Sequence, residues 1–192
     1  MKQTKEKVSL FSSIKTKIIL LVFFAIVVST LMNLWTIIPL LQDSMSSTTQ
    51  SYMKDVTLIA GENLDREMAY IGSESVLAPE QLGASVGGIT IRGMESSYAY
   101  VVSADGTMLY HPTAEKIGQP VENAAVTGLV AEIAKGNRPE TDVIEYEFKG
   151  AMKYAVYYIG EDSSYILVVT ADEEAFADMN KIVKRCVESA GI

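Results

Sequence analysis

The chain holds a single histidine, His111, at the end of the run Tyr98-Ala99-Tyr100-Val101-Val102-Ser103-Ala104-Asp105-Gly106-Thr107-Met108-Leu109-Tyr110-His111-Pro112. A lone imidazole can act as a base, ligate a metal, donate to a bound ligand or cap a strand end. Base catalysis at a nucleophile needs a Ser or Cys beside the imidazole and an acid to orient it. The one cysteine, Cys186, lies 75 positions away, and no nucleophile elbow surrounds either residue. Metal hydrolysis needs two or three clustered His, Asp or Glu ligands, and no carboxylate neighbours His111 in its strand. The carboxylates are scattered, as on a solvated surface. The expectation is a chain that is not an enzyme, with no catalytic residue, no metal site and no cofactor. A single cysteine also allows no internal disulfide. Ligand binding and strand capping remain open for His111.

The chemistry left is that of a small-molecule pocket, and the sheet has the residues for it. Ten tyrosines are present. A tyrosine supplies an apolar wall carrying a hydroxyl, which suits a small polar ligand, although it also simply fits a half-buried strand. With Asp105-Gly106 as the hairpin loop, Tyr100 faces His111 across the pair. Alternation then puts Tyr98, Tyr100, Val102, Leu109 and His111 on one face and Ala99, Val101, Met108 and Tyr110 on the other. A second turn at Lys149-Gly150 pairs Tyr146 with Lys153, so that Ile144, Tyr146, Phe148, Lys153, Ala155 and Tyr157 share a face. The candidate ligand-binding set is Tyr98, Tyr100, His111, Tyr146, Lys153 and Tyr157. Arg92 is a further candidate whose placement the sequence does not give.

These residues must be held by the elements around them. Strands are expected at about 98–103, 108–111, 143–148, 152–159 and 165–170. Between the second and third, Val126, Leu129, Val130 and Ile133 make a helical stripe that stops at Gly136. The order is β-β-α-β-β-β. Before the sheet, Met53, Val56, Ala60, Leu64, Met68 and Ile71 recur at steps of three and four, which predicts a membrane-proximal helix within 42–83. After it, Thr170-Ala171-Asp172-Glu173 reads as a capping box opening a C-terminal helix.

The strongest signal lies nearer the N-terminus. Ile18 to Leu41 is a run of 24 residues without a charge, enough to cross a hydrocarbon core of about 30 Å. A secretory signal has a shorter apolar region and a small-residue cleavage site, neither of which is evident. The five lysines before position 18, against one glutamate, give that flank a charge of +4 and place the N-terminus in the cytoplasm. The remaining 11 basic and 23 acidic residues give the rest of the chain −12, and the net charge is −8. An acidic body of this kind repels phosphate backbones, so no nucleic-acid partner is expected.

Taken together, the transmembrane run, the long helix, "SYAYVVSADGTMLYHPTAEKIGQPVEN", "KYAVYYI" and "SYILVVTADEEAF" resemble the single Cache sensor domain of bacterial methyl-accepting chemotaxis proteins. The resemblance covers about Ser51 to Ala177, and its most specific part is the Asp-Gly hairpin followed by "HP" and "IGQP". It implies an α+β fold: a PAS-like antiparallel sheet packed on a long N-terminal helix, with a ligand pocket on the other face, turned outward from the cell. Related sensors of citrate and C4-dicarboxylates keep a binding histidine in a similar "HP", with an arginine three residues before it and a basic residue on a later strand. Met108 stands at the first of those positions and Lys153 at the second, which implies a ligand with one carboxylate.

The expected organisation is a cytoplasmic tail at 1–17, a transmembrane helix at 18–41, a stalk helix at 42–83, a sensor sheet at 84–171 and a C-terminal helix at 172–192. The expected function is ligand sensing outside the plasma membrane for a chemoreceptor, by a homodimer paired through the stalk, with a short carboxylate as ligand. The alternatives are the input domain of a sensor histidine kinase or cyclic-dinucleotide enzyme, or a membrane-anchored adhesion or assembly protein without a ligand.

Overall fold

A computed structural model describes residues 14–71, 77–91 and 94–172, and the chain divides into two compact units after Ser44. The described part of the first unit is helical. It belongs to α1, Ile14–Ile71, whose first 27 residues, Ile14–Leu40, hold an 18-residue window with a mean hydropathy of 2.5, none of it buried. A core helix of a soluble domain would be covered; this one is long and apolar enough to cross a bilayer and carries its apolar surface outward. Three of its polar side chains turn back on their own helix. Thr30 Oγ1 donates to the Ile26 carbonyl at 2.9 Å, Thr36 Oγ1 to that of Met32 at 3.0 Å, and Asn33 Nδ2 to that of Ser29 at 2.8 Å. Such bonds keep a hydroxyl or amide tolerable in a medium without water.

The second unit is built on a five-stranded antiparallel sheet. Its strands are β1 (Tyr98–Ser103), β2 (Met108–Tyr110), β3 (Val143–Phe148), β4 (Ala151–Ile159) and β5 (Tyr165–Asp172), in the spatial order β2-β1-β5-β4-β3. This is the PAS-like α+β arrangement that the resemblance implies. The central strand, β5, is buried on both faces along all but its last residue, which explains why it reads as an unbroken apolar run rather than an alternating one.

The back of the sheet is covered by α1 and by α2 (Pro79–Val86). Met53 and Leu64 of α1 and Leu82 and Val86 of α2 pack on Ala99, Val101, Val156, Leu167 and Val169. Gly61 lets the helix come close: a Cβ there would lie 2.2 Å from the Tyr158 ring. Asp65, one turn on, accepts hydrogen bonds from the hydroxyls of Tyr158 and Tyr165, the latter at 2.7 Å. The front of the sheet is covered by α3 (Ala124–Ala134), whose Val126 and Leu129 bury against Val102, Ala155, Ile166 and Val168. Asn123 caps α3, accepting from the Ala125 and Val126 amides, and Gly136 follows its end with φ +82°.

Three features differ from the sequence-based expectation. The membrane-proximal helix is continuous with the apolar span and ends at Ile71, not near residue 83; α2 is a separate helix opened by Pro79, whose missing N–H costs nothing in a first turn. Thr170 does not cap a helix. The strand β5 continues through Asp172, paired with Lys153, and Thr170 Oγ1 donates to the Tyr154 carbonyl at 3.0 Å. Finally, the β1–β2 register slips: Val101 pairs with Tyr110 but Val102 with Met108, leaving Leu109 as the extra residue of a bulge. A bulge sends two neighbouring side chains toward the same side. Met108 therefore joins the front cluster, while Leu109 and Tyr110 both pack against the back one. The expected C-terminal helix after Asp172, and Arg92, lie outside the described residues.

Candidate functional site

A cavity of about 270 Å³ opens on the front of the sheet, just below the roughly 300–1,000 Å³ typical of small-ligand sites. Tyr98, Tyr100, His111, Tyr146 and Lys153 all line it. The register explains how residues so distant in sequence meet: β1 and β4 flank β5, and the Lys149-Gly150 turn, with φ of +54° and +82°, sets Tyr146 opposite Lys153. Positive φ at both loop residues matches the twist of a two-residue hairpin. Tyr157 does not line the cavity. It lies on the same face farther along β4, and its hydroxyl donates to the Glu140 carbonyl at 2.6 Å. Val102 is fully buried beneath the site, and the bulge removes Leu109 from this face in favour of Met108.

His111 performs the strand-end role and faces the cavity as well. Its Nδ1 accepts the Thr113 amide hydrogen at 2.9 Å. In a neutral ring this places the proton on Nε2. Burial first, and the Lys116 charge second, lower its pKa to about 4, so the ring is neutral at physiological pH. It stands edge-on to Tyr98, with ring centroids 5.3 Å apart, and 5.8 Å from Tyr100.

Two of the three tyrosine hydroxyls are committed to other protein groups. Asn123 Nδ2 donates to the Tyr100 oxygen at 3.3 Å. The Tyr146 oxygen lies 3.2 Å from Thr170 Oγ1. Because Thr170 spends its proton on the Tyr154 carbonyl, Tyr146 is the donor in that pair. Burial raises the pKa of Tyr98, Tyr100 and Tyr146, so all three are neutral phenols. Among the described residues only Tyr98 of the three has no hydrogen-bond partner for its hydroxyl.

Charge enters from two sides. Lys153 Nζ is paired with Asp172 and lies 5.8 Å from the centre of the Tyr98 ring; its side chain is only 13% exposed. Lys116, on the 3-10 turn Ala114–Lys116, lines the opposite wall and lies over the Phe148 ring at 5.5 Å. Glu115 and Glu122 also line the cavity. Sequence reasoning passed over Lys116, Asn123 and Asp172. Asn123 carried a signal, since it stands just before an apolar helical stripe. Lys116 carried none, because it reaches the site only through a loop folded back on β2, with the Gly118 amide on the Met108 carbonyl and the Val121 amide on that of Gly106.

The arrangement can bind a small polar molecule through neutral donors and partly neutralised cations. Among the described residues no group of three His, Cys, Asp or Glu side chains stands together to hold a metal.

No family model and no curated protein matches the chain. Several solved structures are similar in fold. The ligand-binding domain of Mlp24 with asparagine is 19% identical, over 53% of this chain and 38% of its own, with a TM-score of 0.38. The sensor domain of DcuS from E. coli is 16% identical, over 70% and 98%, with a TM-score of 0.45. A periplasmic sensor domain of a chemotaxis protein is 14% identical, over 67% and 97%, with a TM-score of 0.49. The chain spans about two fifths of the length of Mlp24's domain. The solved structures similar to this chain are sensor and ligand-binding domains, and the fold is what they share with it.

Proposed function

We propose that the chain is the ligand-sensing part of a membrane receptor of the chemoreceptor type. In this reading Ile14–Leu40 crosses the plasma membrane with its N-terminus in the cytoplasm, and the sheet lies outside. The observation that carries the proposal is the front cavity, which gathers Tyr98, Tyr100, His111, Tyr146 and Lys153 from three strands and the β2 end while α1 packs against the back of the same sheet. A ligand on one face can then bias a helix on the other.

The ligand class we propose is a short monocarboxylate. Lys153, Lys116 and the Nε2–H of His111 converge on the cavity, while the Lys153–Asp172 pair removes part of the positive charge. A di- or tricarboxylate would bring more negative charge than these groups balance. The carbon tail would rest against Met108 and Phe148, which also line the wall.

The test is calorimetric titration of the full chain, held in lipid discs, with acetate, propionate and lactate. Binding is expected for at least one of them, and Lys153→Ala weakens it by about ten- to a hundredfold, the worth of a charged hydrogen bond. No heat with any of them, or equal affinity in the variant, overturns the ligand class. We further propose that the receptor works as a homodimer, paired along α1.

A further inference from the structure

Among the described residues of the apolar span, the Asn33 amide is satisfied only in part by its own helix. Asn33 donates one amide hydrogen to the Ser29 carbonyl at 2.8 Å, but among the described residues its Oδ1 accepts nothing and its second hydrogen has no partner. The side chain is exposed on the helix surface, seven residues or about 10 Å inside the end of the span at Leu40. At that depth the surroundings are hydrocarbon, where an unmet amide is costly.

The residues around Asn33 form a seam. Val22, Ile26, Ser29, Asn33, Thr36 and Leu40 follow one another at steps of four and three, the spacing that keeps side chains on one face of paired helices. Of the four hydroxyl and amide side chains between Ile18 and Leu40, three fall in this seam; the fourth, Thr30, lies to one side and bonds to Ile26. Ala25 and Ser29 leave a hollow beside Asn33, walled by Phe24, Val28 and Met32. The opposite side, with Leu31 and Ile38, has no hydroxyl or amide side chain.

We infer that Asn33 joins the span to the span of a second copy of this chain, amide to amide, with the Ser29 and Thr36 face as the contact. This rests on the membrane-spanning reading proposed above and deepens its homodimer by naming the contact. A second copy is the occupant because an amide is its own complement, offering both a donor and an acceptor. The topology set by the N-terminal lysines is the same for every copy, so two Asn33 side chains meet at one depth in a parallel pair. Above the membrane the exposed face of α1 is less suited to lead: Tyr52 and Ile59 alternate there with Asp55 and Glu62, and a parallel twofold pair sets each acid against its own copy.

The test uses the full chain in lipid bilayers with Cys186→Ser and one new cysteine at a time. Oxidative cross-linking is expected to be strong for Ser29→Cys and Thr36→Cys and weak for Leu31→Cys and Ile38→Cys. In the Ser29→Cys background, Asn33→Leu is expected to weaken pairing by about three- to thirtyfold, the range found for hydrogen bonds between membrane helices. Asn33→Gln, which keeps the amide, is expected to restore most of it. Dominant cross-links at Leu31 and Ile38, no cross-links between copies at any position, or an unaltered dimer in Asn33→Leu would each overturn the inference. Alkaline extraction of the same membranes separates the two levels: a chain that stays in the pellet yet fails to pair sinks only the contact, whereas a chain washed off sinks the spanning reading.

Discussion

At the residue scale the most informative side chain is His111, whose Nδ1 fills the capping role while the residue also lines the cavity. Nδ1 accepts the Thr113 amide hydrogen and so leaves the proton of the neutral ring on Nε2, a neutral donor on a residue that lines the cavity. Its pKa of about 4 lies below the unfolded value near 6.5, so below pH 6.5 the unfolded chain binds a proton that the folded chain refuses. This contribution to stability is complete above pH 6.5 and is lost as pH falls toward 4, at most about 3 kcal/mol. Denaturant titrations at pH 7 and pH 4.5 are expected to show a smaller loss in His111→Gln than in the natural chain. An equal loss in both refutes the assignment. Between pH 6 and 8 the ring does not titrate, and ligand affinity is expected to be flat there as far as His111 is concerned. Tyr98 and Tyr146 separate in the same way. The Tyr146 proton is spent on Thr170, so Tyr146→Phe costs about 1 kcal/mol of stability. The Tyr98 hydroxyl has no partner among the described residues, so Tyr98→Phe is expected to leave melting nearly unchanged and, at the proposed site, to weaken binding about two- to tenfold, read by calorimetry.

At the element scale the link between α1 and the sheet is made by Gly61 and Asp65 rather than by apolar contact alone. Gly61→Ala would drive a methyl group into the Tyr158 ring, and chemical denaturation is expected to show a loss of about 1–3 kcal/mol. Asp65 gathers the Tyr158 and Tyr165 hydroxyls and the Glu161 amide, and both phenol pKa values are raised, that of Tyr158 to about 12. Asp65→Ala leaves Tyr165, a fully buried residue, with only the Gly61 carbonyl as partner, and is expected to cost about 1–3 kcal/mol by the same measurement. The strands, α3 and the Lys149-Gly150 register were legible because each is written locally, in alternation, in a 3-4 stripe with its glycine stop, and in a turn pair. The Met108 and Leu109 swap was not, since a bulge has no local signature in "TMLYHP" and depends on how the following loop straps β2. Thr170 misled for a related reason. A capping pattern and a buried strand compete for the same residues, and pairing with β4 decides between them. Of the site, the strand-borne residues could be found by face arithmetic, whereas Lys116 and Asp172 join it only through tertiary contact.

At the scale of the whole molecule the charge is sorted along the chain more sharply than its net value of −8 suggests. The first 17 residues carry +4 and everything after them −12, with the uncharged run of Ile18 to Leu41 between. Lysines next to a span resist translocation, whereas acidic residues contribute little to orientation, so the charge asymmetry acts almost wholly through the N-terminal flank. The expectation is that the sheet is exposed outside the cell: protease added to intact spheroplasts digests it, while an N-terminal epitope tag is cut only after the membrane is breached. Replacing Lys2, Lys5, Lys7, Lys15 and Lys17 with glutamine removes the bias and is expected to yield a mixed population, with part of the sheet protected. A sheet fully protected in the natural chain would place it in the cytoplasm. The cavity could then still bind a metabolite, but the chain would be sensing the interior of the cell.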